Sequence, residues 1–191
     1  IGTTAWGFAR DEMKGRFDYL FIDEAGQVPV ANLIAMSRSA RNLVLIGDQM
    51  QLSQPTQGTH PVESGLSILD YLLRGAPTIP DDMGIFLGTT YRMHPKINQL
   101  ISDHIYEGKL EADEGTHIRT IAVPRSSNSL IQKDAGIVFI PVLHEGNTQG
   151  SDEEAEVIAN VTSQLIGREF TPDPNHLLNH ARRPIELQDI L

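Results

Sequence analysis

The sequence predicts an α/β fold built on a parallel sheet. Three observations carry that expectation. Short apolar runs recur at residues 19–22, 42–46, 85–87 and 136–142. None alternates strictly between apolar and polar positions, which is how strands buried on both faces read. Helix-like stretches separate them, and strand–helix alternation belongs to parallel sheets with crossover helices.

In chain order, the first run ends in Asp23-Glu24. Residues 28–40 read as a helix, with Pro29 near the first turn, where its missing N–H is harmless. The second run ends in Gly47-Asp48, and a second helix is expected at 65–73. The third run leads into Gly88-Thr89-Thr90-Tyr91-Arg92. The third helix, 95–106, places Ile97, Leu100, Ile101 and Ile105 on one apolar stripe. The fourth strand is expected at 136–142. A fourth helix, 151–166, opens with Ser151 and Glu154 at capping-box spacing. Residues 185–191 read as a strand cut short, and the chain starts at Ile1, so a segment of a larger polypeptide is expected. The Pro- and Gly-containing break at 75–84 divides the chain into 1–87 and 88–191. Further breaks fall at 107–135 and 170–184.

Composition narrows the function. The 191 residues carry 15 basic and 25 acidic side chains, net −10. A uniformly basic nucleic-acid sleeve is excluded, although a local basic patch is not. The acidic excess is larger in the second half, with 8 basic and 15 acidic residues from 96 onward against 7 and 10 before it. Cysteine is absent, which removes disulfide and thiolate–metal chemistry. No apolar run approaches the roughly 20 residues of a membrane span. No secretory signal is visible, so no membrane partner and a cytoplasmic setting are expected.

Three polar clusters follow the apolar runs. Phe-Asp-Tyr-Leu-Phe-Ile-Asp-Glu-Ala-Gly at 17–26 delivers two carboxylates to the carboxyl end of a strand, where α/β ligand sites lie. Asp23 could hold Mg²⁺, which takes oxygen ligands and keeps several waters. Glu24 could orient or deprotonate an attacking water. Equally, acidic residues simply favour a helix N-terminus. Gly-Asp-Gln-Met-Gln-Leu at 47–52 repeats the design, and Gln49 and Gln51 could sense a phosphate oxygen. The same residues could form a turn in which Asp48 caps backbone N–H groups. In Thr-Tyr-Arg-Met-His-Pro at 90–95, Arg92 could reach a phosphate and Tyr91 could stack on a base; singly, they could be surface residues.

Taken jointly, these motifs resemble a known family. Asp23-Glu24-Ala25-Gly26-Gln27 is similar to helicase motif II. Gly47-Asp48-Gln49-Met50-Gln51-Leu52 is similar to motif III. Tyr91-Arg92-Met93-His94-Pro95, trailed by Ile105-Tyr106-Glu107-Gly108-Lys109-Leu110, is similar to motif IV. Order and spacing resemble superfamily 1 helicases of the subgroup containing the nonsense-mediated-decay RNA helicase and the Okazaki-fragment helicase–nuclease. The resemblance covers nearly the whole chain and is strongest over 17–110.

It implies fragmentary RecA-like domains of the P-loop NTPase class: the C-terminal part of the first in 1–87 and the N-terminal part of the second in 88–191. ATP and Mg²⁺ are the implied cofactors. Asp23 is implied as the Mg²⁺ ligand and Glu24 as the acid/base of ATP hydrolysis. Gln51 is implied to contact the γ-phosphate, as is Arg92 from the second domain, with Tyr91 on the adenine. Thr3 and Thr4 resemble a motif touching the nucleic-acid backbone. The implied partners are single-stranded nucleic acid, DNA rather than RNA, and the remainder of the parent polypeptide.

No Gly-x-x-x-x-Gly-Lys-Ser/Thr loop occurs in the sequence. That loop supplies the nest and lysine for the β- and γ-phosphates, so these residues alone are not expected to hydrolyse ATP. Another possibility is a non-hydrolysing RecA-like scaffold or nucleic-acid-binding module, set in a nuclease–helicase fusion as in some relatives; no residue here shows nuclease chemistry. His176 and His180 stand four apart but lack the acidic register of a zinc helix.

Overall fold

The computed structural model describes residues 1–52, 55, 58, 60–171 and 182–190. The chain divides into two compact units, Ile1–Phe86 and Leu87–Leu191.

The first unit starts with a single-turn helix α1 (Ala5–Phe8). Strand β1 (Phe17–Ile22) follows, then helix α2 (Val30–Ser37), strand β2 (Ala40–Leu45) and helix α3 (Ile68–Leu73). β1 and β2 pair in parallel, with Phe17 opposite Ala40 and Ile22 opposite Leu45. The helix expected at 28–40 is shorter at both ends: Pro29 is its N-cap rather than part of its first turn, and Ala40 already opens β2. Ser67 caps α3, its Oγ accepting the Asp70 N–H at 3.0 Å. That bond replaces one of the orphan donors of a helix start.

The core of this unit is Leu20, Ile22, Ala25, Leu33, Met36, Ile68, Leu69 and Leu73. Leu20 and Ile22 share one face of β1 because side chains alternate along a strand. Burial on both faces was expected and is corrected: Tyr19 and Phe21 are 60% and 65% exposed on the opposite face.

In the second unit, β3 (Thr89–Thr90) pairs in parallel with β4 (Glu111–Ala112). Helix α4 (Pro95–Ile105) lies between them in sequence. Helix α5 (Asp152–Leu165) precedes β5 (Glu169–Phe170), which pairs antiparallel with β6 (Arg183–Pro184). The third strand is therefore at 89–90, not 85–87.

Residues 136–142 are not a strand. They do show period-2 burial, with Ile137, Phe139 and Leu143 exposed and Val138, Ile140 and Val142 half-buried. The pattern of a strand is present without a ladder, and Pro141 has no N–H to give one. Residues 187–189, expected as strand, form a 3-10 turn closed by a capping box between Glu186 and Asp189.

Two helix expectations also change. The buried residues of α4 are polar, Asn98 and Ser102, while Leu100 of the expected apolar stripe is 45% exposed. On α5, Ser151 Oγ accepts the Glu154 N–H at 3.2 Å, half of a capping box. The Glu154 carboxylate meets His144 at 3.3 Å instead of turning back. His176 and His180 lie outside the described residues. Among the described residues no helix is long and apolar enough to cross a membrane.

Candidate functional site

The first cluster forms at the carboxyl ends of β1 and β2. The parallel ladder continues past both strands: Ile46 N–H donates to Ile22 O at 2.8 Å, and Ala25 N–H to Ile46 O at 2.8 Å. The two loops then meet backbone to backbone. A Cβ on Gly47 would sit 2.6 Å from Ala25 N and 2.9 Å from Gly26 N, and one on Gly26 would collide with the Asp48 carbonyl. Only glycine permits this approach, so the second and third motif glycines lock the two loops together.

At the edge of that lock stand the carboxylates. Asp23 Oδ1 accepts the Glu24 N–H at 3.0 Å. Glu24 is left-handed, with φ 53° and ψ 39°. A non-glycine residue in that region costs of order 1–3 kcal/mol and persists only where its surroundings hold it. Here the Asp23 carboxylate on its own N–H, the Ala25–Ile46 bond just after it and the 3-10 turn Ala25–Gln27, whose Gln27 N–H donates to Glu24 O, do so. Asp23 and Glu24 are both exposed, and neither meets a basic side chain among the described residues.

The 47–52 loop is a capped turn. Asp48 Oδ1 accepts the Met50 N–H at 2.9 Å, and Gln51 Nε2 donates to Asp48 Oδ2 at 3.2 Å. Gln51 thus stands exposed beside Asp48. Gln49 does something else: its Nε2 donates to Ala76 O and Pro77 O, both at 2.9 Å. It ties down the 76–77 turn, which takes its amide donor away from any phosphate.

Thr3 and Thr4 are exposed ahead of α1, which packs on α2. The Thr4 carbonyl accepts the N–H groups of Gly7 and Phe8 at 2.9 and 3.3 Å. Thr3 lies against Gly7, where a Cβ would clash with it. No described hydrogen bond joins either threonine to the 23–27 or 47–52 loops.

The second cluster belongs to the second unit. Tyr91 and Arg92 follow β3 on an exposed loop, Tyr91 being 59% exposed. Arg92 N–H donates to Thr90 Oγ1 at 3.3 Å. The His94 ring is buried, and its Nδ1 accepts the Lys96 N–H at 3.1 Å, capping α4. Sequence reasoning missed Arg119, whose guanidinium donates to Arg92 O at 2.7 Å and Tyr91 O at 3.2 Å. Nothing in Ile118-Arg119-Thr120 signals that role, because the partner lies 27 residues away. Among the described residues no group of three or more His, Cys, Asp or Glu side chains is placed to hold a metal. The structure places Asp23 and Glu24 on one of the two glycine-locked loops and Gln51 on the other, all in the first unit, and Tyr91 with Arg92 on one loop of the second.

Two family models, each described as an AAA domain, match this chain, one over residues 1–57 and one over 67–174. DNA polymerase alpha-associated DNA helicase A of Schizosaccharomyces pombe is 30% identical over 155 residues, 81% of this chain and 22% of the relative. The Saccharomyces cerevisiae protein of the same name is 32% identical over 165 residues, 81% of this chain and 23% of the relative. The DNA replication ATP-dependent helicase/nuclease dna2 of S. pombe is 35% identical over 97 residues, 51% of this chain and 7% of the relative. The matched region thus spans under a quarter of the length of each of these relatives.

Proposed function

Because this chain belongs to the AAA-domain family, in its superfamily 1 helicase branch with a fragmentary α/β RecA-like fold, we propose that the intact protein hydrolyses ATP to move along single-stranded nucleic acid, DNA in preference to RNA. Residues 1–87 and 88–191 act as parts of the first and second RecA-like domains. The observation that supports this reading is the glycine-locked pair of loops. It presents Asp23, Glu24 and Gln51 at the carboxyl ends of two parallel strands, where α/β proteins bind ligands.

Each residue has a role. Water attacks the γ-phosphorus, the bond to the β–γ bridging oxygen breaks, and ADP and inorganic phosphate leave. Glu24 accepts the proton of that water on its carboxylate. Gln51 contacts the γ-phosphate, and its bond to Asp48 ties that contact to the loop after β2. Arg92 donates to the γ-phosphate oxygens as charge builds there, and Tyr91 packs on the adenine. Thr3 and Thr4 touch the strand backbone.

The donor set fits Mg²⁺. Asp23 keeps one carboxylate oxygen on the Glu24 N–H and turns an exposed carboxylate to solvent. A cation that takes one or two carboxylates and fills its remaining positions with water and phosphate oxygens needs no more from the protein. When bound, it neutralises charge on the transferring phosphoryl group.

The test is ATP hydrolysis by the intact protein with and without single-stranded DNA or RNA, beside Glu24→Gln. We expect strand-stimulated turnover, stronger with DNA, that falls about 10²–10⁴-fold in the variant while nucleotide still binds. Nucleotide binding without turnover on either strand would instead identify a non-hydrolysing module. The 191 residues alone, having no phosphate loop, are expected to be inactive in the same assay.

A further inference from the structure

Tyr91 and Arg92 carry the exposed side chains of their loop, yet the loop itself is held at several points. On its N-terminal side, β3 pairs with β4, and Glu111 N–H donates to Gly88 O at 2.7 Å. On its C-terminal side, the buried His94 ring caps α4. Between these anchors the chain has left the ladder, and the carbonyls of 91 and 92 have no backbone donor among the described residues. One guanidinium supplies both, at 3.2 and 2.7 Å.

The route to that guanidinium is stiff. After β4, Asp113 N–H donates to Thr90 O at 2.9 Å, and Asp113 Oδ1 accepts the Gly115 N–H at 2.8 Å. Thr116, 1% exposed, donates from Oγ1 to Asp113 O at 2.7 Å. The 3-10 turn Glu114–Ile118 then delivers Arg119, half-buried, at its C-cap. The ladder that places β3 therefore also carries the arginine that holds the loop after β3.

We propose that Arg119 is the positioning residue of the Tyr91–Arg92 loop, aiming both side chains through their own carbonyls. The proposal rests on the reading of Arg92 as the γ-phosphate arginine. A guanidinium is a rigid planar fork that can span two neighbouring acceptors, whereas an ammonium is a point donor. With both carbonyls fixed, the peptide between them cannot rotate, and the Arg92 side chain leaves the backbone in one direction. Pre-orientation of this kind lowers the entropic cost of reaching a productive geometry and is felt mainly in kcat. Arg119 acts only through the backbone of 91 and 92 and touches neither nucleotide nor strand.

The test is a double-mutant cycle in the intact protein, read as strand-stimulated kcat and KM for ATP. Arg92→Ala alone is expected to lower kcat about 10³-fold, the lower end of measured arginine-finger effects. Arg119→Gln alone is expected to lower kcat about 10-fold with a smaller change in KM, and Arg119→Lys, which keeps one donor site, by less. The deciding arm is Arg119→Gln in the Arg92→Ala background, where no further loss of kcat is expected, because the Arg92 guanidinium is gone and Tyr91, on the adenine, is read in KM. An equal 10-fold loss in both backgrounds, or none in the native background, overturns the proposal. If Arg119→Gln does not fold, Arg119→Lys carries the same cycle. Full turnover in Arg92→Ala removes the arginine reading and the clamp with it, while Glu24→Gln reports separately on hydrolysis.

Discussion

In the first unit eight apolar side chains, from Leu20 to Leu73, form the buried core. In the second, Ile185 is the one buried apolar side chain outside glycine and proline among the described residues, whereas His94, Asn98, Ser102 and Thr116 are buried there. The difference follows from strand length. β1 and β2 have six residues each and satisfy one another's backbone over that length. The strands of the second unit have two residues each. Carbonyls and amides beyond those short ladders turn to side chains, since a buried backbone group cannot be left without a partner cheaply.

Residue Leu110 shows the device. Its carbonyl accepts from Asn98 Nδ2 at 2.7 Å and its N–H donates to Ser102 Oγ at 3.0 Å. Asn98 and Ser102 are one turn apart on α4, so one helix face grips both backbone groups of one residue. Arg168 works similarly, donating to Gln164 O at 2.7 Å and Ile131 O at 2.9 Å. A core of the first kind depends on shape and area, and one of the second kind on each bond.

The largest expected effect tests the apolar side of that contrast. Leu20→Ala should cost about 2–5 kcal/mol, the usual range for a truncated core leucine. Amide hydrogen exchange should localise the loss to the β1–β2 ladder and leave α4 and β4 protected. Equal loss of protection in both units would mean that they do not hold separate cores.

A middle-sized effect inverts the usual hydrophobic ranking. On α4, Ser102→Ala leaves the Leu110 N–H without its acceptor and should cost about 1–3 kcal/mol. Leu100→Ala, at a position 45% exposed, should cost less than that. Denaturant titration of the two variants gives the order directly, and a costlier Leu100→Ala would refute the polar-core reading of this unit.

The smallest effect is electrostatic. Arg183 grips Asp189 with two bonds, 2.8 and 2.6 Å, and Glu186 N–H adds a third at 2.9 Å. These bonds, the arginine's first, hold the Asp189 carboxyl below its ordinary 3.8, at about 2. A carboxylate lowered on folding contributes stability that is fully present above its unfolded pKa and fades as pH falls through the folded value. Between pH ~4 and ~2 the native protein should therefore lose stability in a way that Asp189→Asn does not, measurable as the difference in thermal midpoint across that window.

Much of the candidate site was legible in the sequence because it is encoded locally. Apolar runs ended by Asp23-Glu24 and Gly47-Asp48 mark where strands stop, and a strand's end is where a sheet presents polar groups. Turn chemistry is local too, and Asp48 caps its own turn as its position announces. The glycines at 26 and 47 were visible as motif letters, but not as two halves of one backbone contact. Gln49 and Gln51 look alike in sequence; one faces the 76–77 turn and the other Asp48, and nothing within a few residues distinguishes them.

By itself, then, the sequence determined the strand–helix alternation of the first unit, the parallel class of its sheet, and the side chains available at the strand ends, because periodicity and turn preferences are properties of neighbouring residues. The tertiary structure alone decided which face of α4 is buried, why 136–142 has strand periodicity without a ladder, and that Arg119 holds the carbonyls of 91 and 92. The α4 face and the Arg119 contact depend on backbone groups left without ladder partners by short strands, and the side chains that meet them come from 8 to 28 residues away, beyond the reach of any local pattern.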